Sequence, residues 1–230
     1  LALTPMVSAL AAGNRVMLKP SEMTPVTSGL LAKLLADRFD ADQVAVVEGG
    51  ADIAAQFSQL CFDHLFFTGS TAVGRKVAMA APANLVPVTL ELGGKSPALI
   101  AANADIDMAA ARIAHGKLLN AGQTCVAPDY ALVPRALCER FVDAYRKAAQ
   151  TFYPSPSVAS DYGAVLNQHY RDRLTALVDN ARASGARIET VLETDALRAG
   201  QVAPLLIVDP PLDAAIMQQE IFGPLLPVIC

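Results

Sequence analysis

The chain has 230 residues, of which 53% are hydrophobic and 17% are charged, and its formal net charge is −4. This balance excludes an intrinsically disordered chain and leaves no basic footprint for nucleic acid or an anionic membrane surface. No apolar run reaches the roughly 18 residues that a membrane-spanning helix needs. We therefore expect a globular protein with neither nucleic acid nor a membrane as its partner.

Strand-like and helix-like runs alternate in the first part of the chain. The predicted strands cover residues 15–18, 43–47, 64–68 and 85–92, and the predicted helices cover residues 6–12, 25–39, 51–60 and 70–81. Gly13 is suited to end the first helix in a left-handed conformation, and Thr24 and Pro25 are suited to start the second. This alternation predicts a parallel α/β sheet.

The pattern changes after Gly93 and Gly94, and we place a domain boundary between residues 1–92 and 93–230. The second part has predicted strands at 97–101, 187–192 and 202–208, predicted helices at 106–118, 137–148 and 167–184, and a Pro/Ser-rich loop at 153–162. Asp105 is placed to cap the first of these helices, and Gly185 to end the last.

The four cysteines, at positions 61, 125, 138 and 230, show no paired spacing and no metal-ligand spacing with the three histidines. We therefore predict no metal site and a reducing, cytoplasmic location. The chain begins without Met and ends in an apolar run, so we expect an internal fragment of a longer protein. In such a fragment, residues 224–230 would be exposed and would promote self-association.

Two residues have the chemistry of thioester formation and hydrolysis. Cys125 follows a turn of small residues, and Glu91 stands near the end of a strand-like run with its side chain on the polar face. A thiol nucleophile and a carboxylate base are the two groups that this chemistry needs. A single cysteine is more often a packed, inert residue, and a glutamate at a strand end is more often solvated. The two residues alone therefore leave the function open.

Five segments of the chain resemble motifs of the aldehyde dehydrogenase superfamily, in the order that the family has them. They are Leu-Lys-Pro-Ser-Glu at 18–22, Phe-Thr-Gly-Ser-Thr-Ala-Val-Gly at 67–74, Leu-Glu-Leu-Gly-Gly-Lys at 90–95, Gly-Gln-Thr-Cys at 122–125 and Glu-Ile-Phe-Gly-Pro at 220–224. The residues after the cysteine, Val-Ala-Pro-Asp-Tyr at 126–130, resemble the class 3 branch, which includes fatty, aromatic and bacterial coniferyl aldehyde dehydrogenases.

The resemblance implies a fold and a reaction. The fold is α/β, with a Rossmann-like NAD(P)-binding domain in residues 1–92 and an α/β catalytic domain in 93–230, both truncated. Cys125 is expected to attack an aldehyde, such as coniferyl aldehyde, to give a thiohemiacetal and then a thioester. Glu91 is expected to activate the water that releases the acid. The alternatives are an enzyme that transfers the acyl group to coenzyme A or phosphate, which Glu91 disfavours, and an inert binding fragment.

The cofactor residues are likewise carried over from the resemblance. NAD is the expected cofactor and NADP stays open. The assigned residues are Lys19 and Glu22 at the adenosine ribose, Gly69, Ser70 and Gly74 at the pyrophosphate, Glu220 and Phe222 at the nicotinamide ribose, and Leu92, which is assigned to the cofactor without a particular contact. A helix cap at Ser70 and a surface Lys–Glu pair are the plain alternatives. The family's oxyanion asparagine would precede Leu1, and a homodimer or larger oligomer is expected for the full-length protein.

Overall fold

The structure is a computed structural model that describes residues 2–154, 161–192 and 197–230. Contacts within the chain divide it into two compact units, Leu1–Leu92 and Gly93–Cys230. Much of the predicted loop at 153–162 lies outside the described residues. Among the helices of the described ranges, none combines the length and apolar character required to cross a membrane.

The first unit contains the predicted alternation of strands and helices. Its elements are α1 (Leu3–Ala11), β1 (Val16–Leu18), α2 (Pro25–Ala36), β2 (Val44–Val46), α3 (Ala51–Phe57), β3 (Leu65–Gly69), α4 (Thr71–Ala80) and β4 (Val88–Leu92). β1 pairs with β2 and β3 pairs with β4, and both pairs are parallel. The α/β fold class with parallel strands is thereby confirmed.

Local chemistry explains where several of these elements begin and end. Gly13 follows α1 with φ +82, as predicted for a glycine that ends a helix. Pro25 is the first residue of α2, but the Thr24 side chain makes no capping hydrogen bond. β4 begins three residues later than predicted because residues 81–84 form a short 3-10 helix and Leu85 is left-handed, with φ 58.

The second unit is built on one five-stranded sheet. Its elements are β5 (Pro97–Leu99), α5 (Ile106–Leu118), β6 (Tyr130–Leu132), α6 (Cys138–Phe152), α7 (Gln168–Ala183), β7 (Arg187–Thr190), β8 (Leu205–Val208), α8 (Ala215–Gln218) and β9 (Leu225–Ile229). The strand order is β5-β6-β9-β8-β7. All neighbours in this sheet are parallel except β7 and β8, which are antiparallel.

Alternate residues of the central strands pack on opposite faces of this sheet. Leu206 of β8 and Leu226 of β9 contact a core that includes α5 and α6 residues such as Ala114 and Phe141. Ile207 and Leu225 contact the other core, which is formed mainly by α7. Since successive side chains of a strand point to opposite faces, both faces of β8 and β9 are covered.

The prediction that residues 224–230 would be exposed is wrong. Leu225, Leu226 and Val228 have no exposed surface, because β9 lies in the middle of the sheet between β6 and β8. A strand that is buried on both faces is apolar throughout and lacks the alternation of a half-exposed strand. The sequence analysis therefore failed to identify this segment as a strand, and it also missed the short strand β6.

The structure pairs two cysteines that the spacing left unpaired. Cys138, at the start of α6, and Cys230, directly after β9, form a disulfide with a Cα–Cα distance of 5.7 Å across 92 positions of sequence. So long a separation carries no spacing signal, which explains the error. Cys61 and Cys125 are free and exposed. The cytoplasmic location stays a prediction, since the Cys138–Cys230 disulfide removes the lack of paired cysteines from which it was inferred.

Candidate active site

Cys125 follows a tight left-handed turn at the end of α5. Asn120 and Ala121 both have φ 52, and Gly122 has φ 75. Left-handed backbone in residues other than glycine costs about 1–2 kcal/mol each. A Cβ on Gly122 would lie 2.2 Å from the carbonyl oxygen of Gly223, so only glycine fits at this point. Strain of this kind, held by surrounding structure, is typical of a functional loop.

The Gln123 side chain fixes this turn in place. Its Nε2 donates hydrogen bonds to the carbonyl oxygens of Asn120 (3.0 Å) and Ala164 (2.9 Å), and its Oε1 accepts one from the Leu166 amide (2.9 Å). The turn is therefore bound to the segment that precedes α7. Cys125 lies just beyond it with a free, exposed thiol. The chain thus presents an exposed thiol next to a turn that hydrogen bonds hold in place.

Glu220 lies in the segment that follows α8, within the Glu-Ile-Phe-Gly-Pro motif at 220–224. Its carboxylate faces Gly93 so closely that a Cβ on Gly93 would lie 1.9 Å from Oε2. Desolvation raises the pKa of Glu220, and the nearby Asp129 raises it further, while a hydrogen bond from the Gly94 backbone opposes them. Phe222 is left-handed, with φ 48. Through Gly122 and Gly223, this segment contacts the Cys125 turn directly.

A group of charged residues surrounds the Glu220 segment. Lys95 forms an ion pair with the buried Asp129, whose other oxygen accepts a hydrogen bond from the Ile221 amide (3.0 Å). Arg173 of α7 donates hydrogen bonds to the carbonyl oxygens of Glu220 (3.1 Å) and Ile221. The sequence analysis gave these charged residues no role. Arg173 lies within the predicted helix at 167–184, while Lys95 and Asp129 lie within the quoted motifs.

Lys117 is a fully buried cation on α5. Its Nζ has no hydrogen-bond partner within the part of the chain that the structure describes. Its pKa is lowered to about 8, chiefly by burial and also by the nearby Lys95, while Asp129 and Glu220 act in the opposite direction. Nothing in the spacing of the sequence distinguished this lysine from an exposed one.

In the first unit, the residues assigned to the adenosine ribose contact each other. Lys19 Nζ and Glu22 Oε2 are 2.7 Å apart in the loop that follows β1. The hydrogen bond from Lys19 is the main cause that lowers the pKa of Glu22, followed by a bond from its own backbone amide. The carboxylate is therefore ionised and stands beside a cation, which is suitable for binding hydroxyl groups.

The junction between β3 and α4 combines a capped helix start with tight packing. Ser70 caps α4, and its hydroxyl oxygen accepts a hydrogen bond from the Val73 amide (3.3 Å). Its hydroxyl hydrogen remains able to donate to a ligand. Gly69 ends β3, and a Cβ on Gly74 would lie 2.6 Å from Leu92 Cδ2. Gly74 and Leu92 therefore contact each other, which allows α4 to approach β4 closely.

Glu91 lies on β4, where it is the register partner of Thr68 of β3. Its side chain is exposed and makes no hydrogen bond or ion pair with any described residue. Thr89, two positions earlier on the same face of the strand, has its hydroxyl 2.9 Å from His64 Nε2. Glu91 belongs to the first unit and Cys125 to the second, and their joint action remains a prediction.

The model of the family described as "Aldehyde dehydrogenase family" matches residues 1–230. The chain belongs to the aldehyde dehydrogenase family. The probable coniferyl aldehyde dehydrogenase of Pseudomonas aeruginosa is 52% identical over 230 residues, and the match covers 100% of this chain and 48% of that protein. The dimeric NADP-preferring aldehyde dehydrogenase of Rattus norvegicus is 41% identical, with 100% and 50% covered.

Solved structures of aldehyde dehydrogenases have the same fold. Substrate-bound Staphylococcus aureus AldH matches with a TM-score of 0.90 and 40% identity over 100% of this chain and 50% of that one. A mutant of the P. syringae indole-3-acetaldehyde dehydrogenase AldA, in complex with NAD+ and IAA, matches with a TM-score of 0.85 and 29% identity over 96% and 46%. The chain thus spans about half the length of the aldehyde dehydrogenases that it matches.

Proposed function

We propose that this chain contains the nucleophile and most of the cofactor contacts of an NAD(P)-dependent aldehyde dehydrogenase that releases a carboxylic acid. The observation that carries the proposal is the free, exposed thiol of Cys125 on a strained turn, directly in contact with the segment that contains Glu220. Membership of the family supports the reaction class. The substrate, the cofactor preference and the role of each residue are parts of this proposal.

Cys125 forms the covalent bond to the substrate. Its thiolate Sγ attacks the carbonyl carbon, and the carbonyl electron pair moves to oxygen to give a thiohemiacetal. The Cys125 amide is one donor for that oxyanion. Bound NAD(P) supplies the acceptor for the hydride that leaves the substrate carbon. As the carbon–oxygen double bond re-forms, Cys125 holds the acyl group as a thioester.

Glu91 acts in the release of the acid. Its carboxylate takes a proton from water as the water oxygen attacks the thioester carbon. The carbon–sulfur bond breaks, the Cys125 thiolate is restored, and the carboxylic acid leaves. A carboxylate at this position favours hydrolysis over transfer of the acyl group to coenzyme A or phosphate.

The residues of the first unit are suited to a dinucleotide. The Glu22 carboxylate can accept hydrogen bonds from ribose hydroxyls, and Lys19 beside it can attract a 2′-phosphate. The start of α4, with the Ser70 hydroxyl, presents free amides and a partial positive charge to a pyrophosphate. Both coenzymes occur among the related proteins: the Rattus norvegicus enzyme is named NADP-preferring, and the P. syringae AldA structure contains NAD+. We favour NAD because of Glu22.

An aromatic aldehyde of the coniferyl type is the proposed substrate. The relative with 52% identity is named a probable coniferyl aldehyde dehydrogenase, and that likeness supports the choice. In the complete protein, we expect reduction of NAD with a panel of cinnamyl and aliphatic aldehydes to be fastest with the cinnamyl compounds.

The test uses the complete protein and its Cys125→Ala variant, with Cys61→Ala as a matched control because Cys61 is also free and exposed. Loss of the nucleophile should reduce turnover by a factor on the order of 10⁶ while NADH still binds. Mass spectrometry of the products, with coenzyme A present, should detect the acid and no acyl-CoA. Near-normal turnover in Cys125→Ala would refute the assignment of the nucleophile.

A further inference from the structure

The charged residues around Glu220 include one pair whose hydrogen bonds all point to the same short segment. Asp129 is 3% exposed, and both of its carboxylate oxygens are used: one by Lys95 and the other by the Ile221 amide at 3.0 Å. Lys95 also donates to the carbonyl oxygens of Ile216 (2.8 Å) and Gln219 (3.2 Å). The pair therefore bonds to the backbone on both sides of Glu220.

The same pair comes from two other parts of the proposed site. Asp129 lies four residues after Cys125, and Lys95 lies two residues after Gly93, the glycine that the Glu220 carboxylate faces. The hydrogen bonds that Asp129 accepts and Lys95 donates thus join the nucleophile loop, the segment before β5 and the Glu220 segment.

Stability alone is a weak explanation for such a pair. Removing a carboxylate from water costs several kcal/mol, and apolar side chains of similar size often stabilise a protein equally well. What a fully bonded pair with a buried carboxylate provides is a fixed geometry, because both carboxylate oxygens and the ammonium group have hydrogen-bond partners.

We propose that Asp129 and Lys95 are positioning residues that hold Glu220 where it can bind the nicotinamide ribose beside Cys125. The inference depends on the proposed function, in which Glu220 is a contact of the coenzyme. Arg173 supports the same segment from α7 through the carbonyl oxygens of Glu220 and Ile221. Without the pair, the backbone on both sides of Glu220 loses the hydrogen bonds that hold it.

A double-mutant cycle in the complete protein tests this inference. Asp129→Ala should raise the coenzyme KM by about 10- to 100-fold, since small displacements of a positioned group have effects of this size. In a Glu220→Ala background, adding Asp129→Ala should change the coenzyme KM by less than about 2-fold, because Asp129 acts through Glu220. Lys95→Met should give the same pattern and serves if Asp129→Ala does not fold.

The control is Asp179→Ala, which removes an exposed ion pair with Arg182 on α7 and should leave the coenzyme KM unchanged. If the effects of Asp129→Ala and Glu220→Ala on the coenzyme KM are additive, the pair acts on the fold in general and the inference is overturned. That result leaves the proposed function intact. A complete wild-type protein that oxidises no aldehyde overturns the proposed function and this inference together.

Discussion

The α-carbon of Gly122 lies against the carbonyl oxygen of Gly223, with only 2.2 Å between that oxygen and the place where a Cβ would be. Two segments that are about a hundred positions apart in the sequence therefore meet backbone to backbone beside the nucleophile. A side chain on Gly122 cannot fit without moving Gly223, whereas a Cβ on Gly223 would meet the Leu174 side chain, 2.5 Å from its Cδ2. This contact leads to the first prediction.

Gly122→Ala should destabilise the protein through both its backbone conformation and this contact. The left-handed φ of 75 costs alanine about 1–2 kcal/mol, and the overlap with Gly223 adds to it. Gly185→Ala is the matched control, because Gly185 has φ 89 but nothing within 4 Å of its Cβ position. Urea unfolding should show a larger decrease in the free energy of unfolding for Gly122→Ala than for Gly185→Ala. Equal decreases would mean that Gly223 moves away from the new Cβ without an energetic cost.

Because of Lys117, the free energy of unfolding should depend on pH in the alkaline range. Its folded-state pKa of about 8 is below the ordinary 10.5, so the unfolded state binds more protons between these values. Stability should therefore rise as the pH increases from 8 to 10.5, by roughly 3 kcal/mol at about 1.4 kcal/mol per pH unit. Below pH 8 the full cost of the buried charge is present.

Lys117→Met should remove that pH dependence and stabilise the protein at pH 7, since a buried cation is replaced by an apolar side chain of similar length. The exposed Lys147 provides the control, and Lys147→Met should change neither property. Chemical denaturation at a series of pH values measures both. A flat profile in the wild type would show that Lys117 keeps its proton-binding affinity on folding.

Glu22→Gln should shift the coenzyme preference towards NADP. The change removes the negative charge that repels a 2′-phosphate and releases Lys19 Nζ from its 2.7 Å ion pair. We expect the ratio of kcat/KM for NADP to that for NAD to increase by about 10-fold, which corresponds to about 1.4 kcal/mol. Glu139→Gln, which alters a surface pair with Arg187, should leave the ratio unchanged. An unaltered ratio in Glu22→Gln would exclude Glu22 from the ribose site.

Glu91→Gln should slow the release of the acid more than the formation of the thioester. A base that acts on water contributes about 10²- to 10⁴-fold, and the amide cannot accept the proton. Rapid-mixing experiments should therefore record a burst of NADH followed by slow turnover. If both phases slow equally, Glu91 acts before the thioester forms.

The sequence predicted the elements whose apolar residues recur at a regular spacing. It did not predict the elements that lack such a spacing. The helix capped by Asp105 and the helix that ends at Gly185 appear close to their predicted positions, because caps and amphipathic periods are local properties. The strand β9 has no alternation, since both of its faces are buried. The antiparallel pairing of β7 with β8 depends on the tertiary fold, which local patterns do not specify.

The candidate site was predictable where a short motif contained the residue. The motifs named Cys125 and Glu220, and the structure brings their segments together through Gly122 and Gly223. Four supporting residues were missed: Lys95, Asp129, Lys117 and Arg173. Arg173 and Lys117 lie on helices where a cation normally faces solvent, and only tertiary packing buries Lys117 or turns Arg173 towards Ile221. Asp129 pairs with Lys95, which is 34 positions earlier in the chain, and sequence spacing does not predict contacts between residues so far apart.

The central place of β9 has a consequence for how the second unit is made on the ribosome. During synthesis, β5 can pair with β6 early, and β7 can pair with β8 later. These two strand pairs cannot join into one sheet until residues 225–229 emerge, because β9 lies between β6 and β8. Until then the growing chain has two unpaired strand edges, on β6 and β8, beside the uncovered apolar faces of amphipathic helices. We expect nascent chains arrested before residue 225 to bind chaperones and to be cut readily by proteases. Arrest a few dozen residues beyond Cys230, enough to clear the exit tunnel, should abolish both behaviours.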